Sequence, residues 1–437
     1  MKLDKCLSLQ KKAAALIPGM TQLLSKRPDR YSQGVWPGYF RNAKGVSVTD
    51  LDGNEYLDFS MGGIGATVLG YADDEVNAAV KEVIDAGSAS TLNPPEEVLL
   101  AERLLELHPW AQMARFARGG GEAMSIAVRI ARTATGKDTV LFCGYHGWCD
   151  WYLAANLGKK SALDDQWIPG LNPNGVPKGL TGTAIPFYYN DVANFRKALD
   201  EAGDNLAAIV MEPIRNYEPT QEFLEAIHSA AELRRVPLIV DEITAAFRMC
   251  NGGAHLKLGL KPDIAVFSKA LGNGFPISAV IGKKWVMDYA QDAFITSTAW
   301  TERVGPVAAL AMIDKFIRED ASRHMLSLAD RVWNIWAETA AKYDLKISIG
   351  GFKPLIHFSF LDDHAVRISY FTQEMLKLGF LASGGFYAMY AHTHDQVDKY
   401  AEAVDKVFSS LSKLVKTGNV QAHLEGAPAA SGFGRIN

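Results

Sequence analysis

Ser268-Lys269-Ala270-Leu271-Gly272-Asn273-Gly274 follows directly on the apolar run Ile264-Ala265-Val266-Phe267. A short apolar run that stops at a polar pair reads as a buried strand, and the glycines after it let the backbone turn sharply. A lysine just past a buried strand is costly unless it is paired or neutral. Desolvation loosens its proton and makes it a nucleophile toward carbonyls. A second apolar strand, Leu238-Ile239-Val240, ends at Asp241-Glu242. In an open parallel sheet the carboxyl ends of the strands line one crevice where ligands bind. Taken singly, such a lysine is usually a surface residue and such an aspartate a cap. Their meaning depends on the strands around them.

Outward from this pair, strands and helices alternate. Met113–Ala117 ends at Gly119-Gly120-Gly121-Glu122, which opens a helix reaching Arg132; Thr139–Phe142 ends near Tyr145-His146-Gly147; Ala207–Met211 ends at Glu212-Pro213; a helix spans Gln221–Leu233, and Ile277–Ile281 follows the lysine strand. This alternation predicts an α/β fold with a largely parallel sheet and helices on both faces. Upstream, an amphipathic helix stops at Pro18-Gly19, Asp52-Gly53 turns a β-hairpin over 46–59, and helices are expected over Asp73–Ala86 and Glu96–Leu107. From about 305 the pattern changes. Helices at Pro306–Phe316, 321–343, Arg367–Leu378 and His394–Val415 surround a strand at Pro354–Phe360, a smaller α+β domain. The expected division is 1–58 (N-terminal part of the small domain), 59–305 (large domain), 306–418 (small domain) and 419–437 (mobile tail). The polar stretch 157–182 exceeds a plain connection and reads as a mobile active-site loop.

The 437 residues carry a net charge of −4 with no basic block, so nucleic acid and anionic membranes have no electrostatic footprint. No apolar run reaches the ~18 residues of a membrane helix. Cys6, Cys143, Cys149 and Cys250 lack CxxC spacing, which suits a reducing compartment, read as the cytoplasm, and no structural zinc. No HExxH or comparable set suggests a metal.

Several strand ends thus point at one crevice. The triple glycine at a helix start can bind phosphate through backbone N–H groups and the helix dipole. It is no GxGxxG, and no GxxxxGK[ST] run occurs, so dinucleotide and P-loop readings fail. Tyr145 can stack on a planar ring. Glu212 can position catalytic groups or cap a turn. An amine nucleophile beside an acid fits pyridoxal 5'-phosphate (PLP), whose aldehyde a lysine holds and whose ring nitrogen an acid keeps protonated.

These residues resemble the class III PLP-dependent aminotransferases, specifically the glutamate-1-semialdehyde aminomutase-like branch. The likeness runs through Asp50–Asp58, Gly120-Gly121-Glu122-Ala123, Tyr145-His146-Gly147, Glu212-Pro213, Asp241–Arg248, Gly252-Gly253-Ala254, Pro262-Asp263 and Ser268–Gly274. It implies fold type I. Lys269 would be the Schiff-base lysine and proton carrier, Asp241 the partner of the ring nitrogen, Tyr145 the stacking ring with His146 beside it, and Gly120 and Gly121 the phosphate turn. It further implies a homodimer in which Thr301, or else Thr298, caps the phosphate of the other subunit's site.

The chain departs from that pattern in places. Glycines replace phosphate-turn hydroxyls at 119 and 121, Glu302-Arg303 is unusual, and Lys26 stands where the aminomutases carry a carboxylate-binding arginine, with Arg27 beside it. A lysine binds a carboxylate as a point charge, not a fork. Lys26, Arg27 and Trp36 are therefore the substrate-side candidates. With the cofactor core kept and the substrate end altered, the expected reaction is transamination from a donor such as L-glutamate to an aldehyde or keto group of a sugar-like acceptor. The leading specific expectation is amination of the C8 aldehyde of a 3-deoxy-octulosonate. The alternatives are the aminomutase isomerisation itself and a non-catalytic relative; retention of Lys269 with Asp241 argues against the latter.

Overall fold

In the computed structural model, which describes residues 1–159, 161–166 and 168–434, the apolar runs before Asp241 and Lys269 form strands buried along their whole length. Among the described residues seven strands make one sheet: β1 (Met113–Ala117), β2 (Thr139–Cys143), β3 (Ala184–Pro186), β4 (Leu206–Met211), β5 (Leu238–Asp241), β6 (Ile264–Phe267) and β7 (Ser278–Gly282). Strands β2 and β4–β7 are buried at every position, as strands covered on both faces must be. The spatial order is β1-β7-β6-β5-β4-β2-β3. From β6 to β3 all pairs are parallel, whereas β7 runs antiparallel to both β6 and β1. The carboxyl ends of β1, β2, β4, β5 and β6 therefore share one edge of the sheet.

The period of two along each strand divides the core. Ala208, Val210 and Ile239 face the helix Gly120–Thr135 through Ala123, Ala127 and Ile130. Ile209, Met211, Leu238 and Val240 face the helix Gln221–Arg234 through Phe223 and Ile227. Two elements lie outside the pattern expected from the sequence, β3 and the helix Val192–Ala202, which opens with Asp191 Oδ1 accepting from Asn194 N at 2.8 Å.

The chain divides into two compact units, Met1–Asp73 with Asp320–Asn437, and Asp74–Glu319. The divisions fall at 73/74 and 319/320 instead of the expected 58/59 and 305/306. The helix Val304–Arg318 packs on Asp74–Asp85 and Glu96–Leu107 and so stays with the larger sheet. In the other unit the hairpin Ser47–Asp50 and Glu55–Phe59 forms as expected, flanked by Phe40–Lys44 and, in parallel, by Phe380–Ala382. A three-stranded antiparallel sheet, Ile347–Phe352, Leu355–Phe360 and Gly385–Tyr387, lies in the same unit. Its core is aromatic: Phe59 stacks on Tyr400 at 4.6 Å, and Tyr400 OH accepts from Trp336 Nε1 at 2.9 Å.

Two stretches expected to be mobile make ordered contacts with the rest of the chain. Within 157–182, Leu163 and Val176 are buried, Asn156 accepts from Leu163 N and donates to Leu171 O, and Gln166 bonds Gly144 N and Phe187 O. Two side-chain amides thus tie the loop to its flanking segments. Lys160 and Trp167 lie outside the described residues. The stretch 419–434 is held by hydrogen bonds that include Ala430 N to Asp29 O and Ala429 N to the Ser369 side-chain Oγ, both 2.7 Å; 435–437 lie outside the described residues.

Candidate active site

Lys269 follows β6 by one residue, with φ at +41°, a conformation uncommon for a residue with a Cβ and typical of functional turns. Ser268 and Ser278 pin this turn, Ser278 Oγ donating to Ser268 Oγ at 2.8 Å and Ser268 Oγ to Ile277 O at 3.2 Å. The Lys269 Nζ donates to Thr244 Oγ1 at 2.7 Å. Burial lowers the lysine pKa to about 8; Glu212 and Asp241 pull it up, and Arg215 and Arg248 push it further down. The residue as a whole is half-buried.

Asp241, at the end of β5, is only 3% exposed. Its Oδ2 lies 2.8 Å from His146 Nδ1, and its Oδ1 accepts from Ile243 N at 3.0 Å. The other His146 nitrogen lies 3.0 Å from Cys143 O, so the imidazole links β2 to β5. Tyr145 is half-buried, and burial raises its hydroxyl pKa. Its N–H donates to Glu212 Oε2 at 3.1 Å, while Arg215 grips the same carboxylate through Nε and Nη2, each at 2.6 Å.

At β1, the Glu122 carboxylate accepts from Arg118 N and Gly119 N. Gly120 and Gly121 then begin the helix, where the first N–H groups have no partner within the helix. A Cβ on Gly120 would lie 2.9 Å from Ile243 Cδ1, and one on Gly147 would lie 2.9 Å from Gly121 Cα. The loops after β1, β2 and β5 close on one another only because these positions are glycine.

The structure thus gathers Lys269, Asp241, Glu212, Tyr145, His146, Gly120 and Gly121 at one sheet edge. Thr301 is not among them. It is exposed, and its hydroxyl donates to Thr298 O at 3.0 Å within their shared turn. Arg118 holds that segment through Trp300 O and Glu302 O at 2.8 and 2.7 Å. The unusual Glu302-Arg303 pair is structural: Glu302 accepts from Val304 N and Gly305 N, and Arg303 pairs with Glu96. Lys26, Arg27 and Trp36 belong to the other unit. There Arg27 is buried, with its guanidinium spent on Asp29 and Gly434 O; Trp36 stacks on Tyr31 at 4.0 Å; Lys26 is exposed. Thr244 and Arg118 escaped sequence reasoning, since each acts across a loop with no periodic signal.

The sequence model of the family described as aminotransferase class-III matches residues 32–408. The chain belongs to this family. Among curated relatives of this class-III aminotransferase are a glutamate-1-semialdehyde 2,1-aminomutase of Methanocaldococcus jannaschii, 31% identical over 94% of this chain and 99% of that one, and a 2'-deamino-2'-hydroxyneamine transaminase of Streptomyces kanamyceticus, 32% identical over 86% of this chain and 91% of that one. A 3-aminobutyryl-CoA aminotransferase of Cloacimonas acidaminovorans is 29% identical over 95% and 99%. In fold, the aminotransferase is similar to the PLP form of the FumI protein of Sphingopyxis sp. MTA144, with a TM-score of 0.86 at 24% identity, covering 98% of this chain and 99% of that one. The fold is type I of the PLP enzymes, and PLP is the cofactor of the family. The crevice fits it: a desolvated amine, an immobilised acid and a glycine-lined helix start converge there. Among the described residues of the aminotransferase, no helix is long and apolar enough to cross a membrane.

Proposed function

We propose that the aminotransferase moves an amino group from L-glutamate to an aldehyde or keto group of a sugar-like acceptor, foremost the C8 aldehyde of a 3-deoxy-octulosonate. The observation that carries the reaction type is the Lys269 amine, its pKa lowered to about 8, in one crevice with Asp241. PLP, when bound, supplies an electron-withdrawing ring that takes up charge as a bond to the amine-bearing carbon breaks. Lys269 would hold the cofactor and, once free of it, take and return a proton at the substrate carbon, for which a pKa near the working pH is best. Asp241, fixed by His146, would face the ring nitrogen. Tyr145 would cover one ring face, and Gly120 and Gly121 would give N–H groups to the phosphate. Glu212 would set the charge around the amine. In a homodimer, Thr301 of a second copy would add a hydroxyl at the phosphate. The free cysteines support a reducing, cytoplasmic setting.

A transaminase of a neamine derivative among the relatives supports a polyhydroxylated acceptor. The relatives named as aminomutases support a second reading, in which glutamate-1-semialdehyde rearranges with no separate donor. One screen separates the two. Protein charged with pyridoxamine phosphate is offered octulosonate aldehyde, simple keto acids and glutamate-1-semialdehyde, and the visible cofactor band is followed. Return of the band with the octulosonate aldehyde, and renewed bleaching with glutamate, is expected. Turnover of glutamate-1-semialdehyde alone without a donor would reject the proposal.

A further inference from the structure

Trp148 stands in the loop after β2 and is 74% exposed. A tryptophan so placed gains little from the core, yet the backbone on either side of it is fixed. Gly147, at φ +101°, comes so close to the helix Gly120–Thr135 that a Cβ there would lie 2.9 Å from Gly121 Cα. Cys149 Sγ donates to Gly121 O at 3.3 Å, and Cys149 caps the short helix Asp150–Leu153. Residues 147 and 149 therefore clamp the loop to the start of the longer helix, and Trp148 is carried there with them.

The ring has a definite place at that helix start. A Cβ on Gly121 would lie 3.4 Å from Trp148 Cδ1 and 3.5 Å from Trp148 Nε1. The N–H edge of the indole thus stands beside the position that a side chain of residue 121 would take. In a helix every Cα–Cβ bond tilts toward the N-terminus, so this edge lies on the side of Gly121 that faces the open helix end. Among the described residues Trp148 Nε1 has no hydrogen-bond partner.

The helix start is short of donors. Glu122 takes Arg118 N and Gly119 N, and neither Gly119 nor Gly121 brings a hydroxyl. A phosphate ester presents three strongly accepting oxygens and about −1.5 to −2 charge, more than the N–H groups of Gly120 and Gly121 can satisfy. The other polar side chains close by are committed. Ser125 Oγ donates to Gly121 O at 3.0 Å, and Arg118 is spent on Trp300 O, Glu302 O and the Glu302 carboxylate. The indole N–H is a donor that accepts nothing, and a hydrogen bond to an ionised oxygen is among the stronger ones.

We propose that Trp148 Nε1 donates to the phosphate of PLP, in the place that glycine at 121 leaves without a hydroxyl. This rests on the reading that Gly120 and Gly121 hold that phosphate. The full-length chain, stripped of cofactor, tests it by titration with PLP and with pyridoxal, which lacks the phosphate, each followed by the visible cofactor band. Wild type should bind PLP the more tightly. Trp148→Phe keeps an aromatic ring and loses the N–H. It should weaken PLP binding by about 10- to 100-fold, as loss of a hydrogen bond to a charged group does, and change pyridoxal binding by less than about threefold. A second readout needs no chemistry at Lys269. With isotope-labelled tryptophan, the indole N–H resonance that Trp148→Phe removes should move downfield when PLP binds and stay in place with pyridoxal. Equal weakening for both ligands makes Trp148 a packing residue. Unchanged PLP affinity leaves the phosphate to the backbone alone. Either result overturns the assignment of Trp148 while the glycine cradle stands. A wild-type chain that binds PLP no better than pyridoxal overturns the phosphate site itself.

Discussion

Lys269 meets two opposed requirements: it must be an amine that gives up its proton readily, and it must sit inside a fold that gains nothing from a buried cation. Its pKa is lowered from 10.5 to about 8, chiefly by burial. Between those values an unfolded chain holds a proton that the folded chain has shed, so stability rises with pH from about 8 to 10.5, and the whole penalty is present below 8. Lys269→Met should therefore raise the apparent melting temperature of the cofactor-free protein at pH 7, by about 2–4 °C for each kcal/mol of relieved penalty. The gap should close as the pH approaches 10.5. A gap that stays constant from pH 7 to 10.5 would show that the lysine is not desolvated. Lys269 and Asp241 are legible in the sequence because an apolar run that stops at a titratable residue marks a strand end. Thr244 is not, since its contact with Nζ depends on how the turn after β5 folds back. Arg215 is legible only as a charge, because the partner that gives it meaning is set by a non-periodic turn.

The turn that follows Asp241 is held by the neighbouring acid. Glu242 is fully buried; its Oε2 accepts from Ala254 N at 2.9 Å, and its Oε1 accepts from His255 N at 2.8 Å and His255 Nδ1 at 2.7 Å. The other His255 nitrogen accepts from Trp110 Nε1 at 2.9 Å, which fixes the ring's tautomer. A glutamine here must turn an NH2 toward one set of these donors, and whichever way it faces, a buried N–H loses its acceptor. Glu242→Gln should lower unfolding stability by about 3 kcal/mol, read as a drop in the denaturant midpoint, and should weaken PLP binding because the Asp241 strand end loosens. The exposed Glu225→Gln, whose carboxylate accepts from Gln221 Nε2 at 2.8 Å, should change stability by less than about 0.5 kcal/mol. Equal midpoints for the two variants would refute the role given to Glu242. At this scale the long helices and buried strands were readable from their periods of 3.6 and 2. The reversed direction of β7 was not, because an apolar run carries no sign of which way it points. The three residues of β3 are too few to show a period at all.

At the scale of the whole chain, the unit built from both ends depends on its last residues to close. After the helix His394–Thr417, Gln373 donates to His423 O and accepts from Glu425 N, Ala429 N reaches Ser369 Oγ, Arg30 donates to Ala430 O and Gly432 O, and Arg27 donates to Gly434 O. A Gly, Ala and Ser composition suggested mobility because bonds made by backbone carbonyls leave no side-chain pattern to read. Ending the chain after Gly418 would strip the buried Arg27 of its carbonyl partner and bare the face of the helix His364–Lys377 that carries Ser369 and Gln373. An unsatisfied buried donor costs about 1–3 kcal/mol, more when charged, so local opening should become easier there. Hydrogen exchange should therefore accelerate in His364–Lys377 and around Pro28–Arg30, while the helix Gly120–Thr135, in the other unit, keeps its rate. Unchanged exchange in His364–Lys377 would mean that the tail only rests on the surface, and equal acceleration in both units would mean that its loss unfolds the molecule as a whole.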